Sequence, residues 1–401
     1  MHYESGKGVD GMEKSNIAAT LKKYTMPIAL VLVIAFFYWQ TQGKILFPQN
    51  INNLLSQNAY VFVLAVGMLL CILTGGNIDL AVGSVVCFAG AVGGTLMDRD
   101  VNVWVAVAVM IMVGILIGLW QGFWIAYVNV PPFIATLAGM YAFRGLSNVV
   151  LQGLTITLDD PKFINTFGGG ADCYIPDFFG NGTINMTCMA AGIIGVAIYL
   201  FMTIKGRIDS KRRGYETQPL LGSIIKMLII SAVALWVTYK LSCYKGIPTS
   251  FLWVLLVVMV YGYITQKTTL GRDLYALGGN KKAAALSGVS VKKVLFFSYV
   301  NMGLLAALAG ILTVARLSTA QPTYGQGYEM DAIGACFIGG ASAYGGIGTV
   351  PGVIIGAVLM GVINQGMIIM GIDANYQKVV KGLVLLAAVI FDVVSKKGKE
   401  N

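Results

Sequence analysis

The 401 residues are 57% hydrophobic and 11% charged, with a mean hydropathy of +0.75, whereas soluble chains run at about 45–50% apolar and 25% charged. That composition excludes a soluble globular domain and reads as a polytopic membrane protein. The net charge of +10 comes in short clusters between apolar runs, the pattern of topology signals and not of a nucleic-acid surface.

Residues 1–25 carry Lys7, Lys14, Lys22 and Lys23 beside Glu4, Asp10 and Glu13, and they lead into an apolar run that lacks a small-residue cleavage signal. They read as a cytoplasmic N-terminal segment before a retained first span. Apolar stretches follow near 26–38, 59–74, 80–97, 101–127, 133–152, 186–204, 222–239, 249–265, 294–315, 331–345, 348–370 and 376–394. These predict an all-α protein of about twelve transmembrane or partly re-entrant helices, forming one membrane domain over 26–395 with a cytoplasmic tail at 396–401. With the N-terminus inside, nineteen lysines and arginines fall on inner segments and six on outer ones, so both termini are expected in the cytoplasm. Fifty glycines against ten prolines point to close helix packing.

The segment CILTGGNIDLAVGSVVCFAG puts Gly75, Gly76, Asn77 and Asp79 between two apolar runs. Glycines permit a helix break there, and the two polar side chains either cap the backbone at that break or line and gate a pathway. A helix resumes after Pro131 and Pro132, with Thr136 and Gly139 spaced for a close interhelical contact. Arg144, inside the same apolar run, must face protein, water or headgroups.

Residues 153–185 form a polar external loop, and Cys173 within it and Cys188 just after it have a disulfide as one option. The other four cysteines read as apolar fillers. The only histidine is His2, so no metal cluster and no catalytic residue is expected.

The cytoplasmic stretch 266–293, QKTTLGRDLYALGGNKKAAALSGVSVKK, contains too many apolar and helix-forming residues for a plain polar loop. It predicts a short amphipathic helix at the inner surface, capped by Asn280, running through Leu286 or Ser287 and stopped by Gly288. Lys281 and Lys282 in its first turn oppose the helix dipole and call for an anionic partner. Farther on, Gln321, Tyr324, Tyr328 and Glu329 combine sugar-compatible hydrogen bonders with aromatic faces, or build an external docking loop. Asn364 and Gln365 lie in an apolar run, either on a pathway or in an interhelical hydrogen bond.

The stretches GGNIDLAVGS, PPFIATLAGM, GRDLYALGGNKKAAALSGV and DAIGACFIGGASAYGGIGTVPGVIIGAVLMGVINQG resemble the permease subunit of bacterial ABC importers for monosaccharides, the ribose/galactose/xylose class. Length and inserted regions are similar to xylose or multiple-monosaccharide permeases. The resemblance implies an inner-membrane subunit that pairs with a second permease, as a homodimer, around a sugar pathway. It further implies a cytoplasmic ABC ATPase carrying ATP and Mg, a periplasmic or extracellular sugar-binding protein, and no cofactor on this chain. On that likeness Gly278, Gly279, Asn280, Ala283, Ala284, Leu286, Ser287 and Gly288 couple to the ATPase. Asn77, Asp79, Thr136, Asn364 and Gln365 become pathway or gating candidates, and Gln321, Tyr324, Tyr328 and Glu329 external docking candidates. The family pattern places an acidic residue near Lys281 or Lys282 and often an arginine near Ala285, and this sequence departs from both. The chain has no G-x-x-x-x-G-K-[ST] phosphate loop, so it is not an ATPase by itself. Two rivals stand beside this expectation: the same architecture carrying a nucleoside or branched amino acid, and an ion-coupled secondary transporter, which lacks a paired acidic site here.

Overall fold

The computed structural model describes residues 26–397 apart from 171, 181, 183 and 215–219. The expected N-terminal segment 1–25 and the last residues, 398–401, lie outside the described residues. A helix occupies each of the twelve apolar stretches, in whole or in part. The first half holds α1 (Met26–Gln40), α2 (Pro48–Gln57), α3 (Ala59–Leu73), α4 (Val82–Asp98), α5 (Val103–Ala126) and α6 (Pro132–Leu151). A short α7 (Pro161–Phe167) precedes α8 (Met186–Arg212), α9 (Leu220–Ser242) and α10 (Thr249–Lys267). Then come α11 (Thr269–Gly279), α12 (Lys281–Leu286), α13 (Val291–Leu317), α14 (Tyr328–Ile338), α15 (Val350–Ile369) and α16 (Ala374–Lys397).

Helix length accounts for part of the expected count of about twelve spans. Among the described residues seven helices, α5, α6, α8, α9, α10, α13 and α15, are long and apolar enough to cross a membrane, and α2 with α3, bent by 44°, makes an eighth. α14 has 11 residues, about 16 Å of helix against about 30 Å of hydrocarbon. The apolar run near 331–345 stops being helical at Gly339 and Gly340, the second of which sits at φ 86°. Composition alone does not register such a stop.

The core forms around α13, which packs against α3, α4 and α5. Its contact with α5 depends on the absence of side chains: a Cβ on Gly114 would lie 2.4 Å from the Gly303 carbonyl oxygen, and one on Gly303 would lie 2.2 Å from that of Gly114. Close backbone approach of this kind replaces the hydrophobic drive that lipid removes. In contrast, α8 and α9 pack chiefly on each other, with α2 touching α9, and almost none of their apolar length is buried in the protein.

α3 and α14 run side by side in the same direction. Tyr60 meets Asp331, the Cys336 thiol reaches the Ala65 carbonyl at 3.2 Å, and the Gly346 N–H donates to the Leu73 carbonyl at 3.1 Å. Both helices therefore end at the α11 end of the bundle, and both are followed by non-helical chain, 74–81 and 339–349. Irregular backbone at such a position survives only when it is enclosed by protein and internally bonded.

The opposite end is covered by the segment between α6 and α8. Strand β1 (Ile156–Thr157) pairs antiparallel with β2 (Thr319–Ala320), and α7 is capped by Asp160, which accepts from Lys162 N and Phe163 N. Phe163 and Phe167 are buried, and Phe167 stacks on Trp253 at 5.1 Å. Cys173 and Cys188 are free thiols, so the optional disulfide is not formed. Each thiol instead points at a carbonyl, of Gly170 and of Thr238 respectively.

Candidate functional site: the elbow at α11–α12 and the helix breaks

Residues 266–293 fold as two short helices, where the sequence suggested one. Thr268 caps α11 by accepting from Gly271 N at 3.2 Å, and Asn280 caps α12 by accepting from Ala283 N at 3.0 Å. Gly288, at φ 89°, ends the motif in the left-handed region where glycine is favoured. α11 buries Leu274 and Leu277, and α12 buries Ala284 alone. The other face of α12 is open: Lys281, Lys282, Ala283, Ala285 and Ser287 are exposed, and Leu286 stands out at 91% exposure.

Gly278 is not part of that outward face. A Cβ there would lie 1.9 Å from the Leu73 carbonyl oxygen and 2.3 Å from the Gly346 nitrogen, so the end of α11 rests on the backbone of both helix breaks. Gly279, next to it, has open space around its Cβ position. The Tyr275 hydroxyl adds a bond to the Gly348 carbonyl at 2.7 Å, and burial pushes its phenol pKa above the ordinary value.

At the first break the polar residues satisfy the chain itself. Asn77 donates to the Thr74 hydroxyl at 2.9 Å, which donates in turn to the Cys71 carbonyl at 2.7 Å. Asp79, 1% exposed, accepts from Ala81 N at 2.8 Å just before α4. An asparagine preserves this acceptor and an alanine does not. Asp79→Asn should therefore keep transport activity and thermal stability close to wild type, while Asp79→Ala should lose about 1–3 kcal/mol through the orphaned amide. Loss of transport in Asp79→Asn at unchanged stability would instead assign the carboxylate charge to the transport step.

Thr136 is buried and returns its hydroxyl to the Pro132 carbonyl at 2.9 Å, inside its own helix. Its neighbour Gly139 makes the close contact: a Cβ there would meet the Gln121 amide nitrogen at 2.7 Å. Asn364 donates to Asn58, at the α2–α3 bend, at 3.4 Å, and Gln365 donates to Asn50 at 3.5 Å. Both side chains therefore bond between helices, Gln365 to an amide on the polar helix α2 and Asn364 to the amide just after that helix, which no apolar run announces.

The segment before α14 is pinned from within the bundle. Arg144 Nη1 donates to the carbonyls of Pro322 and Tyr324, and the Thr319 and Tyr324 hydroxyls bond to each other. Gln321, Tyr324, Tyr328 and Glu329 are all half-buried. The Tyr328 ring stacks on Tyr60 at 3.6 Å, which occupies one of the faces offered as an external docking surface. Below that stack, Tyr60 donates to Asp331 at 2.7 Å, and Lys381 of α16 lies 3.0 Å from the same carboxylate. This pair, of a buried carboxylate and a half-buried lysine, joins residues fifty positions apart, a distance at which no local pattern signals contact. Among the described residues no group of three potential ligands could hold a metal.

The family model described as "Branched-chain amino acid transport system / permease component" matches residues 50–389. The chain belongs to this permease family. The permease is 33% identical over 394 residues to the xylose transport system permease protein XylH of Escherichia coli K12, covering 97% of this chain and 95% of that one. It is 36% identical to XylH of Haemophilus influenzae Rd, over 95% and 98% of the two chains. It is 35% identical to the ribose import permease protein RbsC of Escherichia coli K12, over 91% and 92%. No solved structure matches it. As a permease component it is a non-catalytic membrane subunit, energised by separate ATPase subunits.

Proposed function

We propose that this permease forms the sugar pathway of an ATP-driven monosaccharide importer in the bacterial inner membrane. The observation that carries the reading is the joint presence of full-length xylose and ribose permease relatives and an exposed elbow, α11–α12, built like a docking element. In this reading a second copy completes the pathway, a cytoplasmic ABC ATPase seats on Leu286 and the basic turn Lys281–Lys282, and a sugar-binding protein docks at the opposite end. ATP binding and hydrolysis in the partner bias two membrane conformations, and the pathway opens alternately to either side.

The same reading accounts for the helix count. Twelve passages of the membrane place both termini on the α11–α12 side, in line with the charge bias. The tenth passage is made by α14 together with the extended chain 339–349, a half-helix and loop of the kind found where backbone lines or borders a cavity. α1 and α4 are the other short passages.

A second reading, branched-chain amino acid transport, has the family description in its favour. One experiment separates the two: proteoliposomes with permease, ATPase and cognate binding protein, assayed with labelled xylose, ribose and leucine. ATP-dependent accumulation of a pentose, absent with leucine and absent without the ATPase, is the expected result. Accumulation of leucine alone would establish the second reading, and uptake without any ATPase would defeat both.

A further inference from the structure

Three backbones meet where the end of α11 touches the helix breaks. The Leu73 carbonyl, at the end of α3, accepts the Gly346 N–H at 3.1 Å. The Gly278 Cβ position falls between those same two residues, 1.9 Å from Leu73 O and 2.3 Å from Gly346 N. The break segments are interleaved in turn: a Cβ on Gly76 would lie 2.0 Å from the Ala343 carbonyl, and one on Gly345 would lie 2.5 Å from the Gly75 Cα. Tyr275, one turn earlier on α11, holds the Gly348 carbonyl at 2.7 Å. The second break is tied also to α16, since Ala343 N donates to Asp392 at 3.1 Å.

We infer that this glycine joint is the transmission point of the permease, through which displacement of the α11–α12 elbow moves the ends of α3 and α14 as one body, with Gly278 and Tyr275 as its positioning residues. The inference rests on the importer reading above. Backbones in contact without intervening side chains have no rotamers to absorb a displacement, so a shift of α11 is passed on undiminished. Leu286 and the lysines that face the partner lie on α12, outside the joint, so docking and transmission are separable functions of one elbow.

The test compares Gly278→Ala with Gly262→Ala, a helical glycine on α10 whose Cβ position is open. The reconstituted complex is assayed for ATPase copurification, binding-protein-stimulated ATP hydrolysis, and uptake of labelled xylose and ribose. Gly278→Ala should retain the ATPase yet lose sugar moved per ATP by roughly tenfold or more, within the range of coupling between linked sites. Gly262→Ala should match wild type. Unchanged sugar per ATP in Gly278→Ala overturns the inference. Should that variant fail to insert, Tyr275→Phe decides, because it removes one hydrogen bond and adds no atoms. A fall in sugar per ATP supports the joint, and an unchanged ratio refutes it. A wild-type complex that moves neither sugar at all defeats the importer reading and takes the inference with it, whereas normal wild-type uptake with unaffected variants defeats the joint alone.

Discussion

Replacing Lys381 with methionine should destabilise the permease by about 3–5 kcal/mol, read as a large fall in thermal midpoint in detergent. Asp331 is 1% exposed, and its carboxylate has Lys381 at 3.0 Å as its one cationic partner among the described residues. Methionine keeps the unbranched stem and its packing but withdraws the charge. The carboxylate is then left in a low-dielectric interior with the Tyr60 hydroxyl, at 2.7 Å, as support, which is far too little to replace an ion pair. Combining Lys381→Met with Asp331→Leu should restore most of the loss, since an apolar pair of similar volume carries no desolvation cost. A single variant as stable as wild type would mean that the pair contributes nothing to holding α16 against α14.

Leu286→Asp should release the ATPase while leaving the membrane domain intact. The side chain is 91% exposed, so its replacement changes nothing inside the permease, and thermal stability should stay within about 0.5 kcal/mol of wild type. At a docked interface the loss is different. Burying a leucine contributes about 1.5–3 kcal/mol, equivalent to roughly 10- to 150-fold in affinity, and an aspartate adds its own desolvation cost. Copurification of the ATPase and uptake should both fall by at least about tenfold. Wild-type copurification would show that α12 does not seat in a pocket.

How far the sequence reveals this molecule depends on whether each feature is written locally. Apolar runs announce every long helix, and the Asn280 cap and Gly288 stop mark α12 to the residue because capping is a matter of neighbours. α7 was also within reach, since Asp160 followed by Pro161 is a helix start. α2 was not, because its ten residues include Asn50, Asn52, Asn53, Ser56 and Gln57, and what holds them is tertiary: Asn52 donates to the Gly246 carbonyl and Arg316 to Ser56. The same limit applies to the candidate site. Asn77 and Asp79 were legible as residues at a break, but their turn inward onto Thr74 and Ala81 is a matter of geometry. Gly278 reads in the sequence as one glycine of a pair, and only its approach to Leu73 separates it from Gly279.

The hairpin of α8 and α9 has its own consequence. The apolar part of α8, 186–204, would measure about 28 Å, close to a typical hydrocarbon layer of about 30 Å, and its last turns, with Lys205, Arg207, Lys211 and Arg212, extend beyond it. A matched span tilts when the layer around it changes thickness, and this hairpin is fastened to the remainder chiefly where α9 touches α2. Thickening or thinning the lipid should therefore change the lean of an outrigger while the keel around α13 keeps its shape.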